Sequence, residues 1–368
     1  MDAQQPLAEP RSRAGAAISE AVVVAPAAFG SGGLGTAAAE FAHGLSASGC
    51  RVRYVGSQAP GPLLRVARLR AFRTAFGAGA ARRTASRAVR GAVPAAGWDL
   101  LYACPGTMPL GRGDGVRVLC QATRHPDVDA AAMLRAQRET GGRGDTTRAE
   151  LRRRQVELEQ ADLIHVTTLA VRDEMVEAGI DPDRLVHAYH GVDLDRYRPG
   201  TKADRLTVAF VGPLSLRKGV DVVAQLADAL AQEAVVEVVG GPTCQWSRRI
   251  AERARFVFRA SVPEMLGAAQ VLVLPSLADG FSYVVLEALA SGAVPIVTPE
   301  VGAAEVVRRL DPRLVVERAA FVEEVPALLD RLDFAELAPR ARALAEEFDR
   351  ERTSLAVANA VLERAERV

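Results

Sequence analysis

"AVVVAPAAFGSGGLGTAAAEFAHGLSASGCRVRYVG", residues 21–56, passes from a β-branched run to a cluster of glycines, then to an alanine-rich stretch and a second β-branched run. The first run, "AVVVAPA" (21–27), is apolar almost throughout, as a strand buried on both faces requires. "SGGLG" (31–35) predicts a glycine turn, "TAAAEFAHGLSASG" (36–49) a helix ended by Gly49, and "CRVRYVG" (50–56) the next strand. Strand, helix and strand in that order make one parallel β-α-β unit.

The rhythm continues outward. "WDLLYACPG" (98–106), "GVRVLCQAT" (115–123) and "ADLIHVTT" (161–168) read as strands, "LAVRDEMVEAG" (169–179) as a helix, and "RLVHAYHGVDLDRYRPG" (184–200) closes the series with a proline-glycine stop. A second series follows, with strands at 206–212, 234–241, 254–260, 270–276 and 293–298 and helices between them at 219–232, 262–269 and 283–291. The expected class is α/β, with two Rossmann-like, doubly wound parallel sheets facing a cleft and ligands outside the carboxyl ends of the strands. The expected division is a disordered leader over 1–18, a first domain over 19–198, a second over 199–345, and a closing helix over 346–368 that packs back on the first domain.

With 368 residues, 49% hydrophobic and 25% charged, the chain is long enough for two cores. A formal net charge of +1 points neither to nucleic acid nor to a strongly acidic partner. Cys50, Cys104, Cys120 and Cys244 show no C-x-x-C and no histidine at zinc-ligand spacing, which fits a reducing cytoplasm and predicts no structural metal. The first twenty residues lack the apolar core of a secretory signal. An alanine- and arginine-rich composition fits a GC-rich bacterial source.

Chemistry concentrates in a few places. Gly32 and Gly33 open a helix after a strand, where backbone amides and the helix dipole hold an anion, or where glycine merely permits close packing. In "VGPLSLRKG" (211–219), Arg217 and Lys218 follow a strand; they are either solvated cations or the charges that neutralise a diphosphate. In "SLADGFSYVVLEALASGAVPIVTPEVG" (276–302), Ser282 is placed to N-cap a helix that Gly292 ends. Glu287 is the only charge in the greasy run "YVVLEALAS". A carboxylate there demands partners, either a structural hydrogen bond or a hydroxyl-rich ligand such as ribose.

His125 ends a strand and precedes Pro126, which predicts a loop facing the cleft where it would orient or deprotonate an acceptor. His43, His165, His187 and His190 read as structural. Residues 61–90 carry Arg65, Arg68, Arg70, Arg73, Arg82, Arg83, Arg87 and Arg90 without one acid, interleaved with Leu64, Leu69, Phe72 and Phe76. That is either an arginine-coated surface helix or an interfacial helix on an anionic membrane at the inner face. Single-stranded nucleic acid is disfavoured, because the patch lacks an aromatic stacking platform.

The order of these motifs is more specific than any one of them. "GGLGTAAAEFAHGLSASGCRVRYVG", "ADLIHVTTLAVRDEMVEAGI", "HGVDLDRYRPG", "VGPLSLRKGVDVVAQL" and "VLVLPSLADGFSYVVLEALASGAVPIVTPEVGAAEVV" together resemble the retaining glycosyltransferases of the glycogen synthase and mannosyltransferase type, over roughly residues 20 to 345. The resemblance implies the GT-B fold, an acceptor-binding first domain, a nucleotide-sugar-binding second domain, and metal-independent transfer of a sugar from a nucleoside diphosphate to an acceptor hydroxyl. It implies that Glu287 holds the ribose and that Lys218 binds the diphosphate, with Arg217 beside it. Asp279 and the amides of Gly280, Phe281 and Ser282 would touch the sugar and phosphates. Gly32 and Gly33 would approach the phosphates from the first domain, and His125 would lie near the transferred sugar. Three positions depart from the family pattern: Asp279 replaces a glutamate, Ser282 stands where glycine is frequent, and Pro213 stands where an arginine is usual. These departures imply either a different donor choice or reduced activity. A nucleotide-sugar epimerase or a phosphorylase on the same fold, and a non-catalytic nucleotide-sugar-binding protein, are the rival expectations.

Overall fold

The computed structural model describes residues 17–26, 32–56, 83–111, 113, 115–142 and 147–368. The leader expected over 1–18, apart from its last two residues, and the arginine segment before residue 83 lie outside the described residues. Six strands form the first sheet: β1 (Glu20–Val24), β2 (Arg51–Val55), β3 (Leu100–Ala103), β4 (Val116–Gln121), β5 (Leu163–Val166) and β6 (Leu185–His187). Their order is β2-β1-β3-β4-β5-β6, and all pairs are parallel. Five form the second: β7 (Leu206–Val211), β8 (Ala234–Val239), β9 (Phe256–Phe258), β10 (Val271–Leu274) and β11 (Val294–Val297), in the parallel order β11-β10-β7-β8-β9.

Each order reverses once. The chain leaves β1 for β2 and returns to the other side of β1 as β3; it leaves β7 for β8 and β9 and returns beside β7 as β10. At such a switch point the loops after the two central strands diverge and leave a crevice for a ligand. In the second domain those loops are 212–219 and 275–282, which hold Arg217, Lys218 and Asp279.

β3, β5, β10 and β11 are short and wholly buried, as apolar runs sandwiched between helices should be, whereas the edge strands β2 and β9 are largely not. The helix after β1 runs Gly32–Ala47 and starts inside the glycine cluster, four residues earlier than the turn signal predicts. Its Phe41 and Leu45 share a core with Val357, Ala358 and Val361 of the last helix, Arg350–Ala365. The two helices meet so closely at Gly44 that a Cβ there would stand 2.0 Å from the Ser354 carbonyl oxygen. Before that helix, Phe334–Glu346 packs instead into the second core through Leu337, Ala341 and Leu344. The chain therefore crosses between the domains twice, near 192 and near 349, and the crossings are pinned side by side: Val192 N donates to Phe348 O (2.8 Å), and Arg350 N donates to Val192 O (3.0 Å). Among the described residues no helix is long and apolar enough to cross a membrane.

Candidate functional site

A cavity of about 1110 Å³ lies between the two domains, lined on one side by Gly33, Ala122 and Thr123 and on the other by Arg217, Lys218, Asp279 and Glu287. That is slightly larger than ordinary small-molecule pockets, roughly 300–1,000 Å³. The second-domain wall is built from the switch-point loops. Leu277 N donates to Arg217 O (2.8 Å), and the Arg217 guanidinium donates to Ala278 O (2.9 Å), so the two loops hold each other.

At their tips Lys218 and Asp279, only 7% and 8% exposed, form a direct ion pair. The Lys218 ammonium also donates to Ser282 Oγ (3.3 Å), and Arg217 stands 3.9 Å from the second Asp279 oxygen. Burial alone would raise the Asp279 carboxyl, but Lys218 and Arg217 hold it below the usual carboxylate range. Burial lowers the Lys218 ammonium, with Asp279 opposing and Arg217 adding to the shift. Removing either partner would strand a buried charge.

Ser282 does not N-cap the helix Tyr283–Ala290, which corrects the role its position suggests: its hydroxyl makes no cap bond and accepts from Lys218 instead. Among the described residues no side chain caps the first-turn amides of that apolar helix, at the edge of the cavity. Ser282 is also the one non-glycine residue at positive φ (73°) among the described residues, a conformation that costs an L-residue about 1–2 kcal/mol. Strain of this kind collects where a site dictates backbone direction.

Gly280 explains why the loop sits so near the first domain. A Cβ there would lie 2.5 Å from the backbone of Ala122 and Thr123, and its carbonyl accepts from Thr168 Oγ1 (3.3 Å). Phe281, by contrast, is buried in the second core. Gly33 lines the cavity across from Tyr283, whose ring a Cβ at Gly33 would approach to 3.8 Å. Gly32 is the first residue of the same helix.

Glu287 points to where this cavity meets a second one of about 740 Å³, and both are lined by Glu287, Tyr197, Arg196, Tyr283 and Thr36. Burial pushes its carboxyl up to about 7, while the Tyr197 hydroxyl and the Arg196 charge draw it partly back. Behind it, Tyr283 donates to the buried Glu40 (3.0 Å), His190 Nδ1 lies 3.5 Å from the same oxygen, and the His190 ring stacks on Tyr283 at 4.7 Å. This cluster joins the first-domain helix Gly32–Ala47 to the start of Tyr283–Ala290.

His125 is placed differently from the expected cleft-facing loop. Pro126 is the first residue of the helix Pro126–Thr140 and His125 is its cap; the residue is 4% exposed, and its Nδ1 accepts from Asp127 N (3.3 Å). Proline at the first helical position, rather than a loop, accounts for the "HP" pair. The cleft wall at this point is Ala122 and Thr123.

Several cavity residues were not picked out as site residues by their sequence positions: Arg196 and Tyr197 from the crossing segment, and Arg153 and Arg154 from the helix Arg148–Gln160. Arg83, Arg87 and Arg90 also line the cavity. They belong to the arginine-rich segment expected to coat a surface or a membrane, but in the helical stretch 83–91 their i, i+4, i+7 spacing puts them on one face, toward the cleft. Among the described residues no three histidines, cysteines or acids gather as a metal site.

Two parallel-sheet Rossmann-like domains with an interdomain site of this kind define the GT-B class. Residues 31–196 match the family model Glycosyltransferase Family 4, and residues 205–331 match Glycosyl transferases group 1. Between them the two matches take in most of the chain, and the chain belongs to the glycosyltransferases of this family. It is 31% identical over 206 residues to the D-inositol 3-phosphate glycosyltransferase of Mycobacteroides abscessus, covering 48% of this chain and 46% of that protein. It is 32% identical over 178 residues to D-inositol 3-phosphate glycosyltransferase 2 of Catenulispora acidiphila, covering 39% and 42%. The chain thus spans about half the length of these curated relatives. Its fold is similar to that of sucrose-phosphate synthase from Thermosynechococcus elongatus (TM-score 0.68, 18% identity, 94% and 98% coverage). It is also similar to Anabaena HepE in complex with UDP-glucose (TM-score 0.61, 17% identity, 94% and 100% coverage).

Proposed function

We propose that this chain transfers a sugar from a nucleoside diphosphate sugar to an acceptor hydroxyl, with retention at the anomeric carbon and without a metal. The observation that carries the proposal is the group Lys218, Arg217, Asp279 and Ser282, held at a switch point beside a helix whose first turn no side chain caps among the described residues. As the diphosphate departs, negative charge grows on its oxygens, and preorganised cations and amides stabilise that charge without rearrangement. Lys218 would exchange its contact with Asp279 for the diphosphate, leaving Asp279 to accept from a donor-sugar hydroxyl. Glu287, beside Tyr197, would accept from the ribose hydroxyls. An acceptor on the same face of the sugar passes its proton to the leaving phosphate, so no protein nucleophile is required. The named relatives and the UDP-glucose complex of HepE support a nucleotide-sugar donor. Four free cysteines, three of them buried, support a reducing, cytoplasmic setting.

The test is a thermal-shift screen against UDP-, GDP- and ADP-sugars, followed by product analysis by NMR in excess chelator. An axial or equatorial anomeric proton that matches the donor supports retention; an inverted product, or activity that returns only with added Mg²⁺ or Mn²⁺, refutes the corresponding part. A second reading, donor binding without transfer, draws on the strained Ser282 and on Pro213 at the head of the lysine loop. Tight donor binding with no transfer to any acceptor would favour it, and rearranged sugar nucleotide without an acceptor would favour an epimerase.

A further inference from the structure

The loop after β11, residues 298–303, runs as a strap along the loop that carries Asp279. Thr298 Oγ1 donates to Ser276 O (2.6 Å), Asp279 N to Glu300 O (3.1 Å), Gly302 N to Asp279 O (2.8 Å) and Ala303 N to Phe281 O (3.2 Å). Both backbone groups of Asp279 are therefore held by the strap, in a short parallel bridge to Val301. The fit is tight, since a Cβ at Gly302 would collide with Gly280 O.

The strap is fastened in turn to one helix of the first domain. Glu305, just beyond it, accepts from Leu169 N (3.1 Å) and Ala170 N (3.2 Å), the first amides of the helix Leu169–Glu177, and from the Tyr189 hydroxyl (2.6 Å). Thr168, the N-cap of that helix, donates to Gly280 O (3.3 Å). Farther along the helix, Glu174 pairs with Arg124 and accepts from His125 N, and Arg124 donates to Glu300 O (3.1 Å). A carboxylate at a helix N-terminus is favoured by the free amides and the helix dipole, and its charged hydrogen bonds are stronger than neutral ones. Here the carboxylate and the helix belong to different domains, so the preference ties the two together. Glu305 lines neither cavity, and any effect it has on a bound ligand must pass through the strap.

We propose that Glu305 is a positioning residue for sugar transfer: by tying the strap to Leu169–Glu177 it fixes where Asp279, and Lys218 paired with it, stand against the first-domain wall. The word transfer rests on the function proposed above; the fastening does not.

The test compares wild type, Glu305→Ala and Glu305→Gln in the full chain. The first measurement needs no substrate: hydrogen exchange at the amides of Leu169, Ala170, Asp279 and Gly302. Faster exchange at each of them in Glu305→Ala, with the sheet strands unchanged, is expected. A change confined to Leu169 and Ala170 would mean that the strap is held without Glu305, and overturns the proposal. Steady-state release of free nucleotide from whichever UDP-, GDP- or ADP-sugar raises Tm most, with water as acceptor, then reads kcat against KM. Misplacing reacting groups by about 1 Å costs roughly 100-fold, so kcat per folded molecule should fall about 10- to 100-fold in Glu305→Ala. Nucleotide affinity, measured by titration, should stay at the wild-type value, and Glu305→Gln, which keeps one accepting oxygen, should recover part of kcat. Unchanged kcat, a fall no greater than the loss of folded protein, a parallel loss of nucleotide affinity, or no recovery in Glu305→Gln overturns the assignment. Should Glu305→Ala fail to fold, Glu305→Gln and Tyr189→Phe weaken the same contact more gently and are held to the same kcat, affinity and exchange criteria. If no donor is turned over, the proposed function falls, while hydrogen exchange still decides whether Glu305 fastens the strap.

Discussion

On the second-domain wall of the cleft, cations are matched to acids: Lys218 contacts Asp279, Arg217 flanks the same carboxylate, and Arg196 faces Glu287. On the first-domain wall the arginines outnumber the acids, and Arg87 has no ion-pair partner among the described residues. The second-domain wall holds its charges against each other. The first-domain wall carries an excess of positive charge into the cavity. Breaking one matched pair should therefore harm both fold and chemistry, whereas deleting an unmatched cation should harm binding alone.

The largest effect is expected at Lys218. Lys218→Met removes the cation from a buried pair and leaves Asp279 uncompensated, which costs on the order of 3–5 kcal/mol of stability. Loss of one preorganised charge at the leaving group should also lower kcat by roughly 10²–10³. The double variant Lys218→Met, Asp279→Leu should regain most of the lost Tm and none of the activity. If activity returned with stability, Lys218 would be a structural cation only.

Next is Gly280→Ala, which tests how the walls are brought together. Its Cβ would meet the Ala122–Thr123 backbone at 2.5 Å, so loop or domain must shift. Misplacing reacting groups by about 1 Å costs roughly 100-fold. The expected result is a 10- to 100-fold drop in kcat with each isolated domain's core unaffected, read by kinetics and by thermal melting; unchanged kcat would show that the walls need not touch during turnover.

Much of this frame was legible in the residues. Parallel strands buried on both faces read as unbroken apolar runs, so both series of strands and the cleft between them follow from pattern alone. Glu287 was legible as an anomaly, a charge in an apolar helix. Short or charge-rich helices were not: Arg148–Gln160 fully buries only Glu157 and Leu158, and Gln245–Arg253 lays just Trp246, Ile250 and Ala251 against the second core. The arginines at 83, 87 and 90 were visible, but which way their helix faces is set by Val89 packing into the core beneath, a tertiary fact. Tyr197 and Arg196 come to Glu287 from an interdomain crossing, and no local period announces that.

A smaller effect is expected from pH. A carboxyl raised to about 7 binds more protons in the fold than when unfolded, so its contribution to stability falls as pH rises from the ordinary carboxylate value toward 7. Donor hydroxyls favour the ionised form, so donor binding near pH 6 should release a proton, and donor KM should fall as pH rises through about 7. Titration in buffers of different ionisation enthalpy measures the released proton. Glu287→Gln should abolish the release and raise donor KM about 10-fold, the scale of one charged hydrogen bond. Proton release that survives in Glu287→Gln would move the ribose contact elsewhere.

The smallest effect separates strain from bonding at Ser282. Ser282→Ala keeps the Cβ that resists φ 73° and loses the hydroxyl that accepts from Lys218; Ser282→Gly loses both. The lost hydrogen bond is common to the two variants, so their difference isolates the backbone. Glycine adopts that conformation freely but has more unfolded-state entropy to lose, leaving a net advantage of about 1 kcal/mol over alanine. Denaturant melts should therefore rank Ser282→Gly above Ser282→Ala by about that amount. The reverse order would mean that the loop relaxes around alanine. The turn that aims the uncapped helix at the cleft would then be held by Gly280 and its neighbours, with no strain stored at Ser282.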